Sequence, residues 1–224
     1  EMALKAKKKV KVVSVKEHVR KVPVSIKNPK GVTIVDKHLR HIDGQFLDQE
    51  MIEKIFKEYD KKDIIYPASE KIKFPNADKF DDLIAVWCDY FNEKLSLNPK
   101  IDPDMIKALV ATESGFNPWA KNKIAQGLTQ ITKDTLKIIQ DLDGETKDFV
   151  FKGIKRKDLN DPNVSIALGV RWLAQKQKLA YGKLNRAPTS DEVVMMYKGV
   201  LKDKSPRATR IMKDYRDFYE KLKN

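Results

Sequence analysis

Apolar positions along the chain change their period once, near residue 45, and the elements they predict change with them. Near the N-terminus Val10, Val12, Val13 and Val15 form a β-branched stretch, and Val22-Pro-Val-Ser-Ile26 alternates apolar with polar. Asn28-Pro-Lys-Gly31 is a turn signal leading into Val32-Thr-Ile-Val35, so a small sheet or extended arm is expected, with Pro23 favouring an edge. From Gln45 to Tyr59 the spacing becomes helical, placing Phe46, Leu47, Met51, Ile52, Ile55, Phe56 and Tyr59 on one broad face. A loop around Pro67 and Pro75 separates this from a second amphipathic helix over about Ala77 to Leu95.

After Asn98-Pro99 every element reads as helical. Asp102-Pro103 and Asp161-Pro162 each pair an N-cap with proline at the first helical position, and Ser205-Pro206 opens the last helix in the same way. Thr132 caps a short helix, and Thr189-x-x-Glu192 is a capping box. The helix opened at Asp161 is expected to end near Gly182. The fold class expected is α+β, mainly α, divided into a strand-bearing and helical region, 1–98, and an all-helical region, 99–224.

Composition narrows the function classes. The chain has 224 residues, 41% hydrophobic and 34% charged, which is enough to bury a core in one generous domain or two small ones. No apolar run approaches the roughly 18 residues of a membrane span, and no Sec-type signal is visible; Glu1 ahead of Met2 reads as the remnant of an expression tag. Cys88 is the one cysteine and His18, His38 and His41 are the three histidines, so a histidine triad or a His/Cys metal centre is excluded from the later chain, and no metal or cofactor is expected. The net charge of +13 is concentrated in the first forty residues and again after residue 100. That charge suits an anionic partner such as the bacterial cell wall. Nucleic acid is disfavoured, because lysine outnumbers arginine and no aromatic-basic interleaving is present.

Candidate chemistry centres on Glu113, in Ala108-Leu-Val-Ala-Thr-Glu-Ser-Gly-Phe-Asn-Pro118. At the C-terminal end of an apolar helix, a carboxylate meets the negative end of the helix dipole and a hydrophobic wall, both of which favour its protonated form. A protonated carboxylic acid is what protonation of a glycosidic oxygen requires. A solvated helix-terminal glutamate is the alternative reading of that residue taken alone.

Four segments in order extend the picture. Glu113-Ser114-Gly-Phe-Asn117-Pro118 resembles the first motif of the soluble lytic transglycosylases, relatives of goose-type lysozymes, and Gly127-Leu128-Thr129-Gln130 resembles their second. Asn163-Val-Ser-Ile-Ala-Leu-Gly169 with Arg171-Trp-Leu173 is similar to the helix that follows, and Met195-Met-Tyr197-Lys-Gly199 to the family's Ala-Tyr-Asn-x-Gly. The resemblance covers about residues 99–200 and implies a lysozyme-like fold and peptidoglycan glycan strands as substrate. It implies Glu113 as the catalytic acid and then base, Ser114 hydrogen-bonding in the reacting subsite, and Gly127 letting backbone approach the glycan. Leu128 and Thr129 would line the groove, Gln130 would bind sugar or peptide polar groups, and Tyr197 would place its hydroxyl near Glu113 or the N-acetyl group. Two positions depart from the pattern: Thr129 replaces the usual Met, and Lys198 replaces the usual Asn, with a stem-peptide carboxylate or solvent as its expected partner.

Hydrolysing glycosidases use a second carboxylate, yet the position two residues after Gln130 is Thr132, and Trp119 to Gln126 contains no acid. Asp134, Asp141, Asp143, Glu145 and Asp148 read as surface charges. A single carboxylate suits lytic transglycosylation better than lysozyme-type hydrolysis; a degenerate glycan-binding module is the non-enzymatic alternative. Trp172 reads as core, Trp119 as core or sugar platform, Cys88 as buried, and the histidines as surface groups. Three roles are open to residues 1–98: docking to a secretion system or phage tail, electrostatic hold on the wall, or structure alone. Action in the periplasm or on the wall is implied, and an immunity or inhibitor protein is a conceivable partner.

Overall fold

A computed structural model describes the backbone of residues 11–15, 18–21, 32–35 and 38–42, and the whole of residues 45–224. The chain divides into two compact units, Glu1–Gln45 and Phe46–Asn224. In the first, β1 (Lys11–Val15) pairs antiparallel with β4 (His38–Ile42), and β2 (His18–Lys21) with β3 (Val32–Val35), one pair nested within the other in sequence. The strands expected at 10–15 and 32–35 are present, while Val22–Ile26, the edge role of Pro23 and the histidine side chains lie outside the described residues.

The second unit is mainly helical, as expected. It contains α1 (Gln49–Glu58), α2 (Asp81–Lys94), α3 (Pro103–Ser114), α4 (Lys133–Gln140), α5 (Pro162–Leu184), α6 (Ser190–Tyr197) and α7 (Pro206–Lys223). The caps read from the sequence are formed: Asp102, Thr132, Asp161, Thr189 and Ser205 each accept a backbone N–H of the first turn. Each such cap satisfies a donor that the helix itself leaves unpaired.

Several expectations are corrected. Residues 45–59 are not one helix: Gln45–Leu47 is a strand, β5, which pairs with a later strand, β8 (Phe149–Phe151). Asp48 then caps α1 through Met51 N–H, and Met51 itself is exposed. The region after residue 98 is not wholly helical, because β6 (Ala125–Gln126) and β7 (Ile131–Thr132) form a short antiparallel pair. Gly182 does not end α5, which runs to Leu184 and is closed by Asn185 in the left-handed conformation.

The expected division at 98/99 does not coincide with the boundary between compact units. Helix α2 packs along α5, and its Trp87 and Phe91 are fully buried. Trp87, Tyr90, Phe91 and Phe149 form one aromatic cluster with centroids 5.1–6.2 Å apart. The Trp87 indole N–H donates to Asn163 Oδ1 at 2.7 Å, tying α2 to the first turn of α5. Removing residues 46–98 from this core would leave α5 without a wall, whatever motifs lie downstream.

Contact between the 127–130 loop and α5 is close enough to set a sequence requirement. A Cβ on Gly169 would fall 2.4–2.8 Å from Cγ2, Cβ and Oγ1 of Thr129. Thr129 cannot retreat easily, since its hydroxyl donates to Ser165 O at 2.8 Å. Gly169→Ala is therefore expected to destabilise the protein by about 1–3 kcal/mol, measured by guanidinium titration. Adding Thr129→Ala should restore part of that loss if the clash is local, a coupling that a double-mutant cycle reads directly.

Candidate active site

Glu113 stands in the last turn of α3, whose inner face (Ile106, Leu109, Val110) is fully buried. The turn is finished by its own side chains: Thr112 Oγ1 donates to Leu109 O at 2.9 Å, and Ser114 Oγ to Val110 O at 3.1 Å. Gly115, at φ 56°, closes the helix with its N–H on Ala111 O, and Phe116 follows at φ 61° with its ring buried. Two left-handed residues in succession turn the backbone sharply away directly after the carboxylate. The Glu113 side chain keeps 20% of its surface exposed.

The second motif forms a loop between β6 and β7. Gly127 N–H donates to Ala120 O at 2.9 Å, and Gln130 Nε2 donates to Ala120 O and Gly127 O, each at 2.9 Å. Gln130 Oε1 accepts from Asn122 Nδ2 at 3.1 Å. The amide of Gln130 thus holds the loop together, rather than facing outward as expected. Leu128 and Thr129 are fully buried, so their side chains do not line an open surface. Gly127 sits at φ 84°, and a Cβ there would lie 2.1 Å from Leu159 O. Its need for glycine is set by packing against the backbone at Leu159.

Tyr197 ends α6 and donates its hydroxyl to Thr129 O at 2.7 Å. Burial, and after it the charge of Glu113, holds the phenol well above the ordinary tyrosine range. Tyr197 therefore braces the loop while lying close enough to sense Glu113. Ser114 is half-buried beside Glu113, with its hydroxyl turned back to the helix.

Lys198 is placed differently from either expectation. Its ammonium donates to Glu113 Oε1 and, at 3.2 Å, to Thr112 Oγ1, and the side chain is only 8% exposed. Its partner is the carboxylate itself, and not solvent.

Other acids stay apart from this cluster. Asp134, Asp141, Asp143, Glu145 and Asp148 are exposed, and Thr132 is occupied as the cap of α4. A cavity of about 420 Å³ opens beside α1 and the start of α5, lined by residues including Glu50, Glu53 and Asn163, and neither Glu113 nor Lys198 lines it. Trp119, six residues beyond Glu113, is 70% exposed, whereas Trp172 and Cys88 are buried. Reasoning from the sequence did not single out Ser165, whose hydroxyl and carbonyl pin Thr129. The only signal for it was its place within the Asn163–Gly169 segment.

A carboxylate at the end of a buried helix, a small β-pair loop beside it and a wall of further helices define a lysozyme-like domain. Residues 90–195 match the family model of the Transglycosylase SLT domain. That match supports a function of the lytic-transglycosylase type, directed at peptidoglycan. No curated protein matches the chain.

Proposed function

We propose that the protein is a lytic transglycosylase that cleaves the β-1,4 bond between N-acetylmuramic acid and N-acetylglucosamine, using Glu113 as acid and then as base. The observation that carries this reading is a partly exposed carboxylate at the end of α3, with the acids of the later loops exposed elsewhere. Glu113 gives its proton to the glycosidic oxygen as the bond to the muramoyl C1 breaks. The N-acetyl oxygen of the same sugar closes on C1 and carries the developing charge. The C6 hydroxyl then attacks C1, the N-acetyl oxygen leaves, and the hydroxyl proton returns to Glu113. A 1,6-anhydro ring results, and the enzyme ends in the protonation state in which it began.

The nucleophile belongs to the substrate, so no second carboxylate is needed to activate water. Ser114 and Tyr197 flank the reacting position, and the 127–130 loop, held by Gln130 and Thr129, gives the groove a rigid side. Action at the cell wall follows from the substrate, and the strand-bearing unit before residue 46 is assigned to docking or wall attachment.

Mass spectrometry of muropeptides released from purified peptidoglycan tests the reading. Anhydro-muramoyl ends that borohydride does not reduce are expected. Reducible muramoyl ends would mean hydrolysis, and no release would leave a glycan-binding role.

A further inference from the structure

Glu113 is held in an ion pair, although the reaction asks it to deliver a proton. In the resting site Lys198 presents an N–H to Glu113 Oε1 and another to Thr112 Oγ1. The lysine is nearly closed to water, at 8% exposure, and it is the terminal cap of α6, the next residue after Tyr197. A glycan strand lying over Glu113 would shut it off further. Two routes can then bring a proton to the glycosidic oxygen. Bulk water can protonate Glu113 after the ammonium has swung away, or the proton can pass along the existing contact.

We propose that Lys198 is a positioning residue that stores the proton for Glu113 and takes it back at the end of each turnover. The proposal rests on Glu113 as the reacting acid. In the forward step one N–H proton of Lys198 passes to Glu113 and from Glu113 on to the leaving oxygen, giving a neutral amine, a carboxylate and a broken glycosidic bond. In the return step the C6 hydroxyl proton passes to Glu113, and Glu113 returns one proton to the amine. Charge and protons balance over the cycle. The proton is thus shared along the existing Lys198–Glu113 contact rather than drawn from solvent. Tyr197, the other titratable group facing the pair from α6, keeps its proton because burial and the Glu113 charge hold it up. On the α3 side, Thr112 and the last carbonyls of the helix are neutral acceptors that favour the ammonium.

Turnover of intact peptidoglycan by the full chain, followed as anhydro-muramoyl release across pH, separates the routes. Lys198→Arg keeps a cation beside Glu113 but retains its proton at every working pH. It should lower kcat about 100-fold with little change in KM. Lys198→Asn removes the store, so Glu113 must draw on solvent. The alkaline limb of kcat/KM should therefore move toward acid relative to the wild type, since a solvent-supplied proton becomes scarcer as pH rises. Wild-type kcat in Lys198→Arg overturns the proposal. So does an alkaline limb in Lys198→Asn that stays in place or moves toward alkali, the direction expected of a lysine that merely keeps Glu113 ionised. Should Lys198→Arg not fold, the Lys198→Asn profile decides by itself. If the wild type releases no anhydro-muramoyl ends, the functional reading falls and takes this one with it, whereas products with an unshifted profile overturn Lys198 alone.

Discussion

Glu113→Gln is expected to reduce anhydro-muropeptide release by about 10³-fold, within the range general acid–base groups contribute, while glycan binding persists. Glutamine has the shape of glutamate and its Oε1 still accepts from the Lys198 ammonium, so the last turn of α3 should keep its geometry. What is lost is the group that can give and take a proton at that atom. Glu113→Ala is a less clean test, because it strands a nearly buried ammonium without any acceptor but Thr112, and breaking one side of a buried pair is strongly destabilising. The comparison is therefore between wild type and Glu113→Gln at matched thermal stability, with pelleting on purified peptidoglycan as the binding readout. Retained turnover in a folded Glu113→Gln would remove Glu113 from the chemistry.

A second large effect is expected earlier on α3, at a buried ion-pair cluster. Lys107 on α3 is fully buried, its ammonium donating to Ala68 O at 2.9 Å, lying 2.9 Å from the Asp81 carboxylate and in contact with Asp78. It joins α3 to the approach to α2 and to the loop before it. The two carboxylates respond in opposite directions. Its hydrogen bond to Lys107 holds Asp78 below the ordinary carboxylate range. Burial pushes Asp81 above that range, and Lys107 only partly offsets it. Lys107→Met preserves length but leaves Asp81 charged and unpaired in a dry site, at a cost of about 3–5 kcal/mol. The thermal midpoint should fall by about 10 °C. The sign of the pH dependence follows from Asp81: its raised folded value means that its protonated form favours the fold, so the deficit should shrink as pH falls toward about 4. Calorimetry of both proteins at neutral and acid pH checks the two statements together. A deficit that grows toward acid would overturn this account, because protonating either carboxylate weakens its pairing with Lys107 and should narrow the gap.

The sequence was most informative where one residue's chemistry decides one backbone feature. Asp102, Thr132, Asp161, Thr189 and Ser205 were legible as caps because a short acceptor ahead of a helix has few other uses, and all five act so. Strand β5 was not legible, because Phe46 and Leu47 fit a helical period as well as a strand, and only pairing with β8 decides between them. The β6–β7 pair is two residues a side, too short to show an alternation. Gly182 misled because a glycine inside a helix costs only about 1 kcal/mol, and Asn185 took the left-handed position that closes α5. At the site, the sequence placed Glu113, Tyr197 and Lys198 near one another but not their hydrogen bonds. Gln130 has the same amide whether it faces a sugar or its own loop. The choice rests on Ala120 O and Gly127 O, which the motif does not mention.

The reach of the core has a practical meaning for dissecting the molecule. The matched segment begins at residue 90, inside α2 (Asp81–Lys94), so a fragment trimmed to the recognisable motifs would cut a helix in two. It would discard Trp87, and with it the indole bond that anchors the first turn of α5. Fragments for expression should therefore begin just ahead of β5 (Gln45–Leu47), next to the division between the compact units, and keep the stretch that carries no signature. Leu47, Ile52, Ile84 and Trp87 are held there by volume and fit, requirements that many residues can meet. Search by motif stops where identity ceases to matter, and this fold begins some forty residues earlier.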